Sequence, residues 1–328
     1  MTVDAARGLP PAFDPILVQH PLDRQAIASL KRVRGFEFFL SKFLDAGVER
    51  MEYQLSVASS VRVGPAQLPS VHGHLRTACA VLSVPEPELY VCTGGLNSIA
   101  AGPNHPYIVL MSGVLGLMDD DELAAVIAHE VGHIKAGHLL YKSMASAVDF
   151  FGGVANDFSL GFSKLVTTPV QVGLLTWDRW SELTADRASL LVVREPRVCL
   201  RMLMKLAAGT SGVAERLNID AYIDQVRAYD QDFEQTFGDR VYHFGATVQR
   251  GSLPFTIQRA RALLDWFESG GFAEALASAG EQEPRCPECS QGVRVGLAFC
   301  VHCGARLPRA APRAEPQPIA NTSGTYEA

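Results

Sequence analysis

Apolar residues recur every three or four positions through most of the chain, which is typical of helices that bury one face. The first such run extends from Asp23 to Leu44, and we expect it to break near Gly35 and Gly47. Later runs predict helices over residues 68–82, 119–138, 177–193, 197–208, 213–237 and 257–269.

Two short apolar segments, residues 89–92 and 107–111, are bounded by proline or glycine and predict β-strands. Residues 56–63 predict a further strand or an extended link. The stretch from 89 to 118 has no charged residue, but its glycines and prolines exclude a continuous membrane helix. These patterns predict an α+β fold that is mostly α-helical and has a small sheet.

Residues 143–177 are also apolar, but Asp149, Asp157 and Lys164 interrupt them. A charged side chain costs about 2.5–3.5 kcal/mol at the centre of a bilayer, so we expect a soluble helical hairpin or a cover over the site; a membrane hairpin is the less favoured alternative. Peripheral contact with a membrane through residues 143–177 stays open as an alternative.

The sequence His129-Glu130-Val-Gly-His133 lies inside the helix predicted over residues 119–138. Residues four apart on a helix share a face, so the two imidazoles can bind one tetrahedral zinc ion. Glu130 lies beside that point and can take a proton from a water molecule on the metal. Asp119 and Glu122 form a capping-box pattern at the start of the helix. The segment therefore predicts a catalytic zinc site.

A catalytic zinc ion needs a third protein ligand, and Glu182 is the strongest candidate. Glu182 and Asp186 lie four apart on a later helix, so one can bind the metal while the other accepts the free N–H of a ligand imidazole. His138 is the alternative ligand, but its offset of five residues from His133 rotates it off the ligand face. The candidates for a second donor to the oxyanion are Tyr242, His243 and Arg259.

Four of the seven cysteines form two Cys-x-x-Cys pairs near the C-terminus, namely Cys286, Cys289, Cys300 and Cys303. Two such pairs can close a tetrahedral thiolate site, so we predict a second, structural zinc ion in a zinc ribbon; disulfides are the alternative. Four thiolates leave no open position for catalysis. We expect the ribbon to recruit a protein partner or substrate.

Composition bears on partners and location. The net charge is −6 and no basic arm is present, so nucleic-acid binding is not expected. The N-terminal residues lack the charged start and apolar run of a secretory signal. Cys79, Cys92 and Cys199 are scattered among apolar neighbours, which fits a reducing compartment. We therefore expect a cytoplasmic protein.

Four segments together resemble the HtpX-like zinc metallopeptidases, which are relatives of the CAAX prenyl proteases. They are Gly-Gly-Leu-Asn-Ser-Ile-Ala at 94–100, Tyr-Ile-Val-Leu-Met-Ser-Gly at 107–113, the His-Glu-Val-Gly-His segment at 129–133 and Ser-Glu-Leu-Thr-Ala-Asp at 181–186. The resemblance covers most of residues 23–270. It implies a zincin-like fold in which His129, His133 and Glu182 bind zinc and Glu130 is the catalytic base.

The chain departs from that family in two respects. HtpX-type members carry membrane helices that the sequence does not predict here. Members often have a His-Pro ahead of an Arg-containing helix near the end of the domain, where this chain has Leu253-Pro254 before Arg259. The departures suggest a soluble relative and leave the role of that loop open.

The strand at 107–111 precedes the motif helix and follows Pro106, which suits the beginning of an edge strand. The free edge of such a strand can pair with an extended substrate. The alternative is an internal strand paired on both sides, because its apolar run also suits burial. On the first interpretation the substrate-binding residues are Asn97, Tyr107, Ile108, Val109 and Leu110.

The sequence thus predicts a lead-in over residues 1–22, a metallopeptidase domain over 23–270, a linker over 271–284, a zinc ribbon over 285–306 and a disordered tail over 307–328. The function expected is zinc-dependent endopeptidase activity on extended or unfolded polypeptide. The alternative is a degenerate peptidase scaffold that acts as a protein-interaction module through its ribbon.

Overall fold

A computed structural model describes residues 18–45, 47–154, 164–229 and 256–278. The helices are α1 (Pro21–Leu30), α2 (Phe36–Asp45), α3 (Val48–Ala58), α4 (Pro69–Leu82), α5 (Ser112–Leu117), α6 (Asp120–Lys135), α7 (Leu139–Val154), α8 (Lys164–Val193), α9 (Pro196–Ala208), α10 (Ser211–Ala214), α11 (Ile219–Ala228), α12 (Thr256–Glu268) and α13 (Gly271–Ser278). The strands are β1 (Ser60–Arg62), β2 (Glu88–Cys92), β3 (Ser98–Ala101) and β4 (Tyr107–Met111). The prediction of a mostly helical α+β fold is confirmed.

The four strands form one mixed sheet in the order β1-β2-β4-β3. β1 pairs antiparallel with β2, and β2 pairs parallel with β4. β3 pairs antiparallel with β4, with Ile99 opposite Val109. β3 therefore lies at one edge of the sheet, although it comes between β2 and β4 in sequence.

The prediction that Tyr107–Met111 is an edge strand is wrong. β4 pairs with β2 on one side and with β3 on the other, so its main chain has no free edge. The side chains of Tyr107, Ile108, Val109 and Leu110 are all buried, so they are not available to a substrate. Apolar residues on both faces are typical of an internal strand, and here that pattern outweighs the preceding Pro106.

The predicted breaks in the N-terminal helical region are confirmed. Gly35 and Gly47 have φ angles of 91° and 65°, a left-handed conformation that glycine adopts without steric cost. The breaks divide this region into the three short helices α1, α2 and α3. Leu30 of α1 and Phe36 of α2 pack with buried residues of α7 and α8, which fastens this region to the rest of the domain.

The motif helix α6 begins with the predicted capping box. The Glu122 N–H donates to Asp119 Oδ1 at 2.9 Å, and the Asp119 N–H donates to Glu122 Oε2 at 3.0 Å. α6 then packs closely along α8, because a Cβ built on Gly132 would lie only 2.6 Å from the Ala188 Cβ. This close approach brings the motif residues of α6 next to the acidic residues of α8.

The apolar region at 143–177 lies partly in α7 and partly in α8, which is one continuous helix of 30 residues. The helix predicted over 177–193 is therefore the second half of a longer one. Among the helices described, none combines the length and apolar character needed to cross a bilayer.

The packed domain extends beyond the predicted boundary at residue 270. Gly271–Ser278 is a helix and not a linker, and its Phe272, Ala275 and Leu276 side chains are buried in the main core. Several predictions lie outside the described residues: most of the lead-in, the remainder of the linker, the ribbon with its four cysteines, the tail, Tyr242 and His243.

Candidate metal centre

Three side chains from two helices converge where α6 crosses α8. His129 Nε2 lies 3.1 Å from Glu182 Oε2, and His133 Nε2 lies 3.2 Å from Glu182 Oε1. The two Nε2 atoms are 3.2 Å apart. All three residues are buried. The structure thus brings together the two histidines of one helix and a glutamate more than forty residues later in sequence.

This arrangement fits a metal ion. Ligand atoms at about 2.0–2.1 Å from a tetrahedral zinc ion are separated from one another by about 3.3 Å. The three separations of 3.1 to 3.2 Å are close to that value. Two imidazole nitrogens and one carboxylate are also the ligand types of catalytic zinc sites that keep a fourth position open. Within the described residues this is the one group of three or more ligating side chains.

The Nδ1 atom of His129, on the side of the ring away from Glu182, contacts a second carboxylate. His129 Nδ1 lies 3.0 Å from Asp186 Oδ1, and Asp186 in turn accepts two hydrogen bonds from the Arg259 guanidinium, at 2.8 and 2.6 Å. Arg259 Nη1 also lies 3.3 Å from Glu182 Oε2. These contacts fix the ring orientation of His129 and leave its Nε2 facing His133 and Glu182, as outer partners do for a histidine that binds a metal.

The buried charges shift the pKa values of the converging groups. Burial acts to lower the pKa of His129, but Glu182 and Asp186 outweigh it and raise that pKa to about 9. Burial also acts to raise the pKa of Glu182, but Lys142 and His129 hold it well below its ordinary value. The same carboxylates that favour a proton on His129 favour a metal cation in its place.

Glu130 faces a cleft of about 260 Å³ beside the histidines. The Ser98 hydroxyl donates to Glu130 Oε1 at 2.6 Å. Glu130 Oε2 is buried and has no hydrogen-bond partner among the described residues. Asn97 and Ile99 of the β3 region also line the cleft, together with the apolar residues Met202 and Leu206. One carboxylate oxygen is therefore held in place, and the other is available for a proton.

The structure adds residues that the sequence analysis missed. Lys142 Nζ contacts Glu182 Oε1 at 2.8 Å and Asp178 Oδ1 at 3.1 Å. The sequence does contain a signal for this contact, because the spacing of Asp178, Glu182 and Asp186 places three carboxylates on one helix face. Buried carboxylates are normally paired with cations, so basic side chains are expected to face them. Ser98 and the neighbours of His138 have no comparable signal in the sequence.

Arg259 was a candidate for the second oxyanion donor. Its guanidinium donates to Asp186 and lies beside Glu182, so it holds two of the acidic residues that face the histidines. The other two candidates lie outside the described residues.

Comparison with known proteins shows the family. The model of peptidase family M48 matches residues 65–267, which include all of the converging residues on α6, α8 and α12. The chain belongs to peptidase family M48. It is therefore a metallopeptidase, as the resemblance to HtpX-like enzymes predicted.

Curated relatives of this M48 peptidase agree with that assignment. The plastoglobule-localized metallopeptidase 48 of Arabidopsis thaliana is 31% identical over 293 residues, which cover 85% of this chain and 82% of the relative. A protease HtpX homolog of Desulfatibacillum aliphaticivorans is 28% identical over 200 residues, covering 53% of this chain and 63% of that protein. An HtpX homolog of Nostoc punctiforme is 26% identical over 182 residues, which cover 47% of this chain and 62% of that protein. No solved structure shows significant similarity to the chain.

Proposed function

We propose that this M48 peptidase is a zinc-dependent endopeptidase that cleaves extended or unfolded polypeptide. The observation that supports this most directly is the convergence of His129 Nε2, His133 Nε2 and Glu182 within ligand distance of one point, next to the Glu130 carboxylate in an open cleft.

Each side chain has a specific role in this proposal. His129, His133 and Glu182 hold the ion, and Asp186 orients His129. Bound zinc supplies Lewis acidity, which lowers the pKa of a water molecule to near neutrality and polarises the peptide carbonyl. Glu130 Oε2 accepts a proton from the attacking water molecule and passes it to the leaving amine. The hydrogen bond from Ser98 keeps Oε1 in place.

An extended substrate pairs with β3 in this proposal and not with β4. The hydrogen bond from the Met111 N–H to the Asn97 carbonyl sets the alternation of the β3–β4 ladder. With the observed register, the main-chain groups of Ser98 and Ala100 then point away from β4, toward the open edge. A substrate strand added there lies beside the cleft, where Asn97 is the one predicted substrate-binding residue that remains exposed.

Two further elements of the proposal rest on the sequence. The cysteines at 286, 289, 300 and 303 bind a structural zinc ion in a ribbon that recruits a partner or substrate. The scattered thiols favour a cytoplasmic location. The named Arabidopsis relative is chloroplastic and plastoglobule-localized. The cytoplasmic location of this chain therefore stays a prediction.

Replacing the proposed base tests the mechanism. Glu130→Gln should abolish cleavage of an unstructured peptide, because it removes the proton acceptor. Zinc content should stay equal to that of the unmodified protein, because no ligand is changed. Activity within a few-fold of the unmodified protein would show that Glu130 is not the base. Loss of zinc would show that Glu130 belongs to the ligand set.

A further inference from the structure

The N-terminal helix α1 contributes a buried carboxylate that lies outside the region matched by the family. Asp23 has no solvent exposure, whereas the family match begins at residue 65. Its Oδ1 accepts from the Trp177 indole N–H at 2.9 Å. Its Oδ2 accepts from the Thr184 hydroxyl at 2.7 Å and from the Gln19 amide at 3.1 Å. Three donors already surround this carboxylate.

The fourth neighbour of Asp23 is a histidine that touches the metal centre. His138 Nε2 lies 3.1 Å from Asp23 Oδ2, and His138 Nδ1 lies 3.0 Å from His133 Nδ1. His138 is buried, and its ring packs edge-on against the Trp177 ring. A continuous chain of contacts therefore runs from α1 through His138 to the far side of the ligand His133.

The ionised state of Asp23 sets the direction of every hydrogen bond in this chain. Burial acts to raise the pKa of Asp23, but the hydrogen bonds from His138, Thr184 and Gln19 outweigh it and hold that pKa below its ordinary value. An ionised carboxylate only accepts, so His138 must carry its proton on Nε2. In the neutral imidazole with its proton on Nε2, His138 Nδ1 is an acceptor, so the contact with His133 Nδ1 requires the proton of His133 to be on Nδ1.

That tautomer is the one that metal binding requires. A neutral imidazole with its proton on Nδ1 has its lone pair on Nε2, the atom that faces Glu182 and His129. The two ligand histidines thus have different supports. Asp186 contacts His129 directly, whereas Asp23 acts on His133 through His138.

We propose that Asp23 and His138 are positioning residues that hold His133 in its metal-binding tautomer, so that α1 completes a metal site whose ligands lie in the family domain. The inference rests on the proposed function, because it takes His133 as a zinc ligand. It extends that function to a segment ahead of the family match and to a histidine that binds no metal itself.

The first test is Asp23→Asn in the full-length protein. Asparagine is neutral and has one acceptor oxygen in place of two, and in either orientation its NH2 group faces a donor, either Trp177 or the three donors at Oδ2. The acceptor that holds the proton on His138 Nε2 is therefore weakened, and with it the tautomer of His133. Zinc affinity at the histidine site should fall about tenfold, the lower end of the effect of removing an outer partner of a ligand. The matched control is Thr184→Val, which removes one donor to the same carboxylate but leaves His138 facing an acceptor.

A second pair of variants separates the hydrogen-bond relay, which runs from Asp23 through His138 to His133, from the effect of packing by the His138 side chain. In His138→Gln, the carbonyl can accept from His133 while the amide donates to Asp23, so zinc affinity should stay within about threefold of the unmodified protein. His138→Met has a similar size without these groups, and its affinity should fall about tenfold or more. Equal losses in both variants would overturn the relay.

The readout is the ring ¹⁵N signals of histidine in the zinc-loaded, full-length protein during titration with EDTA. These signals report zinc at His129 and His133 separately from any zinc on the cysteines, and they report the tautomer of His138. The expected result is a proton on His138 Nε2, with earlier loss of zinc in Asp23→Asn than in Thr184→Val.

Other outcomes would distinguish failure of the relay from failure of the proposed metal site. If zinc binds at His129 and His133 but His138 carries its proton on Nδ1, or if Asp23→Asn and Thr184→Val lose zinc alike, the relay is wrong and the metal site stands. If zinc does not change the His129 and His133 signals in the unmodified protein, the proposed metal site is wrong and the relay fails with it.

Discussion

The hydroxyl of Ser98 donates a 2.6 Å hydrogen bond to Glu130 Oε1, which joins the edge strand β3 to the helix that carries both motif histidines. The same residue has its main-chain groups directed to the open edge of the sheet, where we propose that substrate pairs. One residue thus links the position of the proposed base to the strand that would hold the scissile peptide.

Removing this hydroxyl should slow turnover without emptying the proposed metal site. In Ser98→Ala, Glu130 loses the donor that fixes one of its oxygens, so kcat should fall about 10–150-fold, which corresponds to the loss of one hydrogen bond to a charged group. KM and zinc content should change little. Steady-state kinetics on a short peptide measure the difference, with Ser112→Ala as the control because that hydroxyl lies near Gly94 and not near Glu130. A larger effect on KM than on kcat would contradict this role.

Removing Glu182, the proposed third ligand, should cost one zinc equivalent. Glu182→Gln replaces a carboxylate that faces both histidines and also leaves Lys142 and Arg259 without one of their buried counter-charges. Elemental analysis should show about one zinc ion fewer per chain than in the unmodified protein. Glu268→Gln, which changes a surface partner of Arg227, is the matched control and should retain all the metal. Unchanged zinc content in Glu182→Gln would remove Glu182 from the ligand set.

Pairing of the substrate with β3 predicts an alternating response to N-methylation of a peptide substrate. Only every second amide of an added strand donates to the sheet, so methylation at those positions should raise KM about tenfold or more. Methylation at the positions between them should have a much smaller effect. A series of singly methylated peptides measures this without altering the protein. A uniform response along the peptide would exclude binding as an added strand.

The close approach of α6 and α8 predicts that an alanine at Gly132 lowers the stability of the fold, whereas an alanine at the uncrowded Gly73 raises it. Gly132→Ala places a Cβ 2.6 Å from the Ala188 Cβ, so it should lower the free energy of unfolding by about 1–3 kcal/mol. Gly73→Ala, at an exposed position of α4, meets nothing within 4 Å and should raise it by about 0.5–1 kcal/mol. Urea denaturation measures both. Equal stability of the two variants would show that α6 and α8 can separate at no cost.

Local sequence determined much of the helical part of this protein. The positions of His129 and His133 on one helix face, the capping box at Asp119 and the breaks at Gly35 and Gly47 all follow from contacts within a few residues. Such features depend on the fixed geometry of a helical turn, which spacing and residue type already specify. The convergence of Glu182 with the histidines is longer in range, and its prediction relied on the ligand chemistry of zinc and on a family resemblance.

Tertiary structure alone decided the order of the strands and the contacts around the ligands. β4 is internal because β3, four residues long and without a clear pattern of its own, pairs along it and takes the edge. The contacts of Ser98 with Glu130 and of Asp23 with His138 join residues 32 and 115 positions apart. A periodic pattern shows which face of an element is buried but not which distant side chain meets it, because that partner is set by how the whole chain packs.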